Sequence, residues 1–288
     1  MGRAHLLFIG SIRRSRAGRT PERVVVSSHV ADRVQSAVFI SLVLLVAWTA
    51  APLADGLVLA LSPLLVTVVM VASPCWRPGP GRLRVSLRPA GLSWWWVAVA
   101  TTAGVTLVAY LALLAIGLVE PRAPSWQLAV DLLVLLTTGT VLAFCEEVGW
   151  RGYLQPRVAT WAGRRGSHLV VGAVWLLWHL AYITRTDGYH ADGNRLAVLG
   201  LFSLSVMVFA VLFGELRDRS GSVWPAVIAH MAHNVAFAWL GTSVLRTNHP
   251  VVVEEYLVGD TGLLVLAGTA VAAAVLIRFG RAGATNHE

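Results

Sequence analysis

Charge is scarce in this chain: Asp, Glu, Lys and Arg together make up 13% of its 288 residues. An ordinary soluble domain carries about a quarter of its residues charged, so a soluble globular fold is excluded. Cysteine is nearly absent, at two residues, which excludes a small disulfide scaffold. Lysine is missing altogether: all 23 basic residues are arginine, against 15 acidic ones, for a net charge of +8. Internal repeats are absent too, and the loops are too short to hold an appended soluble domain. The chain does have apolar surface, with 56% hydrophobic residues and a mean hydropathy of +0.68. That much apolar surface excludes a disordered chain. What remains is an all-α, polytopic transmembrane helical bundle.

A helix needs about 20 apolar residues to cross the bilayer core. Eight stretches qualify as candidates: Val34 to Pro52, Gly56 to Trp76, Ser93 to Val119, Leu128 to Leu154, His168 to Ile183, Leu196 to Gly214, Val223 to Leu240 and Leu257 to Ile277. With a cytoplasmic N-terminus and eight crossings, 19 of the 23 arginines fall on the cytoplasmic side. Only Arg122, Arg185, Arg195 and Arg246 fall outside. Positive charge favours the inner side of a membrane, so both termini are expected in the cytoplasm and the protein in the cell membrane. The basic excess then reports orientation and an anionic lipid surface; no nucleic-acid partner is expected. Residues 1–33 read as a basic cytoplasmic tail, 34–278 as the bundle and 279–288 as a second cytoplasmic tail. The segment Leu6 to Gly10 is too short for the apolar part of a signal peptide. Cys75 and Cys145 both fall in the inner half, where a structural disulfide is not expected.

The informative residues are the ionisable ones inside spans, each costing about 2.5–3.5 kcal/mol at mid-bilayer. Glu146 and Glu147 are adjacent, and Arg151 lies one turn beyond. Glu147 and Arg151 share a helix face with the glutamate N-terminal, the favourable order for an ion pair. Glu146 points about 100° away and is left for another helix. Trp175 and His179 are one turn apart on the fifth span, so the indole can pack beside the imidazole. His230 and Asn234 share a face of the seventh, with His233 directed elsewhere. Helical rise puts Glu146 about 12 Å, His179 about 16 Å, and His230 and Asn234 about 10 and 16 Å from the inner ends of their spans. Three helices running in different directions thus place polar groups in one layer, which could form a water-filled pocket open to the cytoplasm. Glu147 is expected to pair with Arg151 rather than with the histidines.

A carboxylate, two imidazoles and a carboxamide suit hydrolysis. A partly desolvated glutamate can act as general base on water, and Asn and His can donate hydrogen bonds to an oxyanion. No serine or cysteine nucleophile is clearly placed. Glu146, His179 and His230 equally have the make-up of a zinc site with an open position, although the His-Glu-x-x-His signature is absent. The residues leave both mechanisms open.

Glu146-Glu147-xxx-Arg151, Trp175-xxx-His179 and His230-xxx-Asn234, each on its own apolar helix, resemble the three motifs of the CAAX protease and bacteriocin-processing family. This family of intramembrane proteases includes the type II CAAX prenyl endopeptidases. The resemblance covers about 128–240, and the flanking stretches EEVGWRGYLQP and GSVWPAVIAHMAHN fit it. It departs at Trp175, where the family pattern usually has Phe. It implies that Glu146 and His179 activate water, that His230 and Asn234 line the oxyanion hole, and that Glu147, Arg151 and Trp175 support the site. The implied activity is endopeptidase cleavage of a membrane-anchored peptide or protein by glutamate-activated water, with zinc possible. The alternatives are a non-catalytic membrane immunity or scaffold protein, and a transporter with a proton relay. No repeated halves or paired broken helices speak for the transporter.

Overall fold

The computed structural model describes residues 21–51, 53–73, 89–186 and 192–282. The first 20 residues, the tail beyond 282, Cys75, Trp76 and the arginines at 77, 82, 84 and 88 lie outside the described residues. The chain is a helical bundle: α1 (Pro21–Ala50), α2 (Leu57–Ala72), α3 (Pro89–Thr101), α4 (Ala103–Ala115), α5 (Gln127–Glu147), α6 (Gln155–Ile183), α7 (Arg195–Ser220), α8 (Trp224–Trp239) and α9 (Leu263–Ala282). The one sheet among the described residues is an antiparallel pair, β1 (Glu120–Pro121) with β2 (Leu245–Arg246). Helices dominate because a bilayer offers no hydrogen bonds, so each spanning segment must satisfy its own backbone. Four helical stretches are long and apolar enough to cross a membrane: His29–Ala50, Ser93–Ala115, Gln127–Ile183 and Arg195–Ser220. Leu57–Ala72 and Leu263–Arg278 are shorter apolar helices.

Two expected boundaries change. The first helix begins at Pro21, before the start of the apolar stretch at Val34. Asp32, Gln35 and Ser36 are buried there, and Gln35 accepts a 2.8 Å hydrogen bond from Arg157 Nε of α6. The fourth span does not stop at Leu154. Helix α5 runs through a wide π-helical segment, Val148–Leu154, directly into α6. The reversal comes at Gly163, whose φ of 72° and ψ of 172° are open to glycine but strained for other residues.

Helix α8 is central, packing against α3, α4, α5 and α7, while α6 packs between α1 and α7. One end of the bundle is tied by loops. The β1–β2 pair clasps the loop after α4 to the loop after α8, and Trp239 Nε1 donates to the Leu128 carbonyl at 2.9 Å. The other end is ionic. Asp218 of α7 accepts hydrogen bonds from Gln155 Nε2 at 2.9 Å and Arg164 Nε at 3.2 Å, and its Oδ2 lies 3.0 Å from His168 Nε2.

Candidate active site

The last turn of α5 carries Glu146 and Glu147, and the helix period turns them to different neighbours. Glu147 is fully buried. Its Oε1 accepts from Arg151 Nη1 at 2.8 Å, the expected ion pair, and both side chains are inaccessible to solvent. The same oxygen also lies 3.0 Å from His230 Nδ1. The expectation that Glu147 would avoid the histidines is therefore corrected. A carboxylate offers about four lone-pair sites, and α8 packs directly on α5, so one oxygen serves both partners. The guanidinium of Arg151 is held a second way, 4.7 Å above the Trp175 ring and 5.1 Å above that of Phe213.

Glu146 is also buried and turns toward α6, where its Oε2 accepts a 2.9 Å hydrogen bond from Trp175 Nε1. The tryptophan therefore does more than pack beside His179, although it does that too, with ring centroids 5.2 Å apart. His179 Nδ1 lies 2.9 Å from the Trp175 carbonyl oxygen. A carbonyl only accepts, so Nδ1 carries the proton, and the neutral ring keeps its lone pair on Nε2. Trp178 and Phe202 hold the ring edge-on, at 4.7 and 5.1 Å. His230 is fixed by the Glu147 carboxylate at Nδ1, a T-shaped contact with Trp175 at 5.4 Å and stacking on Phe213 at 5.6 Å. Asn234, one turn further along α8, is exposed.

Glu146, Trp175, His179, His230 and Asn234 all border one cavity of about 430 Å³, a size typical of ligand sites. Glu147 and Arg151 lie behind this wall. The cavity runs from Glu146 past Leu135 and Thr138 of α5, Tyr182 at the end of α6 and Ala238 at the end of α8, to Asp260. It thus extends toward the β1–β2 end. At the arginine-rich end, Arg151 and Gln155 are fully buried. Helical spacing alone misses two lining residues. His233 is three positions beyond His230, only about 60° around the helix, so it shares the cavity wall, its ring tilted against that of Phe209 at 4.3 Å. Asp260 lies in a loop before α9 and has no helical spacing to reveal it.

A zinc ion would need three protein ligands converging on one point. Among the described residues no three His, Cys, Asp or Glu side chains do so. Glu146 Oε2 is engaged by Trp175, and His230 Nδ1 by Glu147. Glu146, His179 and His230 do not group as a metal site among the described residues, and a metal centre is not supported. Cys145 is free and buried.

Residues 127–236 match the family model described as type II CAAX prenyl endopeptidase Rce1-like. All of the motif residues fall inside this match, and Asp260 falls outside it. No curated protein matches the chain.

Proposed function

We propose, on the premise that residues 127–236 carry a type II CAAX prenyl endopeptidase Rce1-like domain, that this multi-pass membrane protein is an intramembrane endopeptidase working through glutamate-activated water. The observation that carries this reading is the convergence of Glu146, His179, His230 and Asn234 from three helices on one cavity. Trp175 engages one oxygen of Glu146, which leaves the other to take a proton from water. The lone pair on His179 Nε2 can accept a second hydrogen bond from that water and aim its oxygen. Attack on a peptide carbonyl would place negative charge on the carbonyl oxygen. His230, its Nδ1 proton held by Glu147, can offer Nε2–H to that oxygen when the ring is protonated, and Asn234 can offer its amide N–H. The proton gathered by Glu146 would then pass to the leaving amine.

The substrate would be a membrane-associated peptide or protein, since the cavity lies within the bundle and its wall is largely apolar. Both termini would face the cytoplasm. The test compares wild type with Glu146→Gln in purified, equally folded protein, using quenched apolar peptides and the membrane proteome as substrates. Loss of a general base lowers rates about 10²–10⁴-fold. Full cleavage by a folded Glu146→Gln variant would overturn the mechanism. Removal of the Asn234 donor, as Asn234→Ala, is expected to lower kcat about 10²–10³-fold.

A further inference from the structure

Away from the candidate active site, a second cavity opens between α1 and α6, near the ionic end of the bundle. Its volume is about 350 Å³, and it is lined by His29, Val30, Arg33, Thr160 and Trp161. His29 and Arg33 lie one turn apart on α1, while Thr160 and Trp161 come from α6 just before its reversal at Gly163.

The charge in this cavity is of one sign. No carboxylate lines it, and Asp32, next to Arg33 in the chain, is fully buried and not part of the wall. Arg33 is exposed, and its guanidinium lies 6.0 Å over the Trp161 ring. A guanidinium held by its face keeps its N–H edge open to a phosphate or carboxylate. Among the described residues Arg33 makes no ion pair, whereas Arg164, nearby on α6, is bound to Glu215 and Asp218. Thr160 spends its hydroxyl proton on the Arg157 carbonyl at 2.7 Å, and Trp161 Nε1 is buried. Arg33 and His29 are therefore the donors left for a ligand, and the ligand they suit is an anion.

The surface beside the cavity indicates which anion. Val30, Val34, Ala37, Ser41, Leu45 and Trp48 recur at three- and four-residue steps, so they share one face of α1, and all six are exposed. This face is apolar apart from Ser41, and it starts in the cavity wall at Val30. Arg33 precedes the first residue of the apolar stretch, the depth at which basic side chains meet lipid headgroups. A free phosphate would use the cavity alone, whereas a phospholipid would use both the cavity and the face.

We propose that the cavity between α1 and α6 is a headgroup site for an anionic phospholipid, its phosphate held by Arg33 and His29 and its acyl chains lying along the exposed face of α1. Basic pockets between membrane helices are suited to such headgroups. The site is independent of any peptidase activity.

The test uses the full chain, delipidated in detergent and titrated with phosphatidylglycerol or phosphatidylcholine, with the first bound lipid read by native mass spectrometry. Wild type is expected to bind phosphatidylglycerol about fivefold more tightly, the worth of one arginine at an anionic surface. Arg33→Gln should remove this preference at an unchanged melting temperature. Arg165→Gln takes the same charge from an exposed residue outside the cavity and should leave the preference intact. Glycerol phosphate, at the same concentration as the lipid, should not displace phosphatidylglycerol. Equal binding of the two lipids by wild type overturns the proposal without a variant being needed. A preference that survives Arg33→Gln overturns it as well, and so does an equal loss in both variants, which would mark diffuse surface charge. Displacement by glycerol phosphate would mark a site for free phosphate esters and overturn the lipid assignment.

Discussion

Trp175 does one thing that a phenylalanine at its position could not: its indole N–H donates to Glu146 at 2.9 Å. Its ring also carries the Arg151 guanidinium at 4.7 Å. Trp175→Phe keeps an aromatic beside His179 but removes the donor. The expected result is a drop in kcat/KM of about tenfold, the worth of one hydrogen bond to a charged group at the low end of its range, with little change in melting temperature. Glu147 behaves differently, because it joins a buried cation to a histidine. Glu147→Gln strands Arg151, and a buried charge left without its partner costs about 3–5 kcal/mol; thermal unfolding in detergent should show it. Replacing both partners, as Glu147→Leu with Arg151→Met, should restore much of the melting temperature. The same double variant should stay inactive, since His230 has lost the group that holds its Nδ1 proton. Half of this is legible in the sequence. The Glu147–Arg151 pair follows from a four-residue spacing on one helix, whereas the Glu147–His230 contact joins residues 83 positions apart, and no local spacing encodes it. Glu146, His179, His230 and Asn234 can be gathered from sequence only because polar residues are rare in apolar helices. His233 escapes that reading because of its angle, although a side chain about 60° off a face still reaches a cavity of this width.

Helices are legible as elements because each is an unbroken apolar run, but their joins are not. The π-helical turn at Val148–Leu154 leaves no periodic trace over so short a length. Its consequence is large, since it carries α5 into α6 without a loop and sets Arg151 where it meets Glu147. Gly149 lies in this segment against α2. A Cβ there would sit 2.5 Å from the Pro63 side chain and 2.9 Å from its backbone oxygen. Pro63 is itself buried inside α2 and accepts at its carbonyl from Thr67 Oγ1 at 2.7 Å, so it has little room to yield. Gly149→Ala is therefore expected to push α2 away from the π segment, at a cost of about 1–3 kcal/mol, the usual penalty for overpacking. Because the segment also positions Arg151, activity should fall along with melting temperature. Gly149→Ala with melting and activity both at wild-type levels would show that the close approach does not constrain the site. At Gly163, by contrast, an added Cβ would meet nothing within 4 Å, so replacing this glycine tests backbone strain alone.

At the scale of the whole molecule, the four arginines assigned to the outer side share a structural task. Arg185 hydrogen-bonds the Trp48 carbonyl near the end of α1. Arg195 Nη2 donates to the carbonyl of Ile183 at the end of α6, at 2.8 Å. Arg122 Nε donates to the Leu245 carbonyl at 2.8 Å, and Arg246 pairs with Glu120 at 3.0 Å across the β1–β2 clasp. Helix ends leave backbone carbonyls without intrahelical partners, and two of these four supply donors to them. Their presence outside is thus accounted for by local bonding and does not weaken the charge asymmetry. Arg164, Arg217 and Arg219 cluster at the opposite end, around Glu215 and Asp218, and Arg217 Nε donates to the Arg151 carbonyl at 3.2 Å. The excess of arginine at the ionic end would place that end in the cytoplasm. Reporter fusions after Arg122, Arg165, Arg195 and Arg219 are then expected to read outside, inside, outside and inside. An external signal after Arg165 would reverse the orientation, and with it the side from which the cavity is reached. In the expected orientation the cavity runs from the Glu146 layer toward the outer face, so single cysteines at Tyr182 and Ala238 in a background lacking Cys75 and Cys145 should react with a membrane-impermeant maleimide added from outside. Labelling only after the membrane is opened would place the passage on the cytoplasmic side instead.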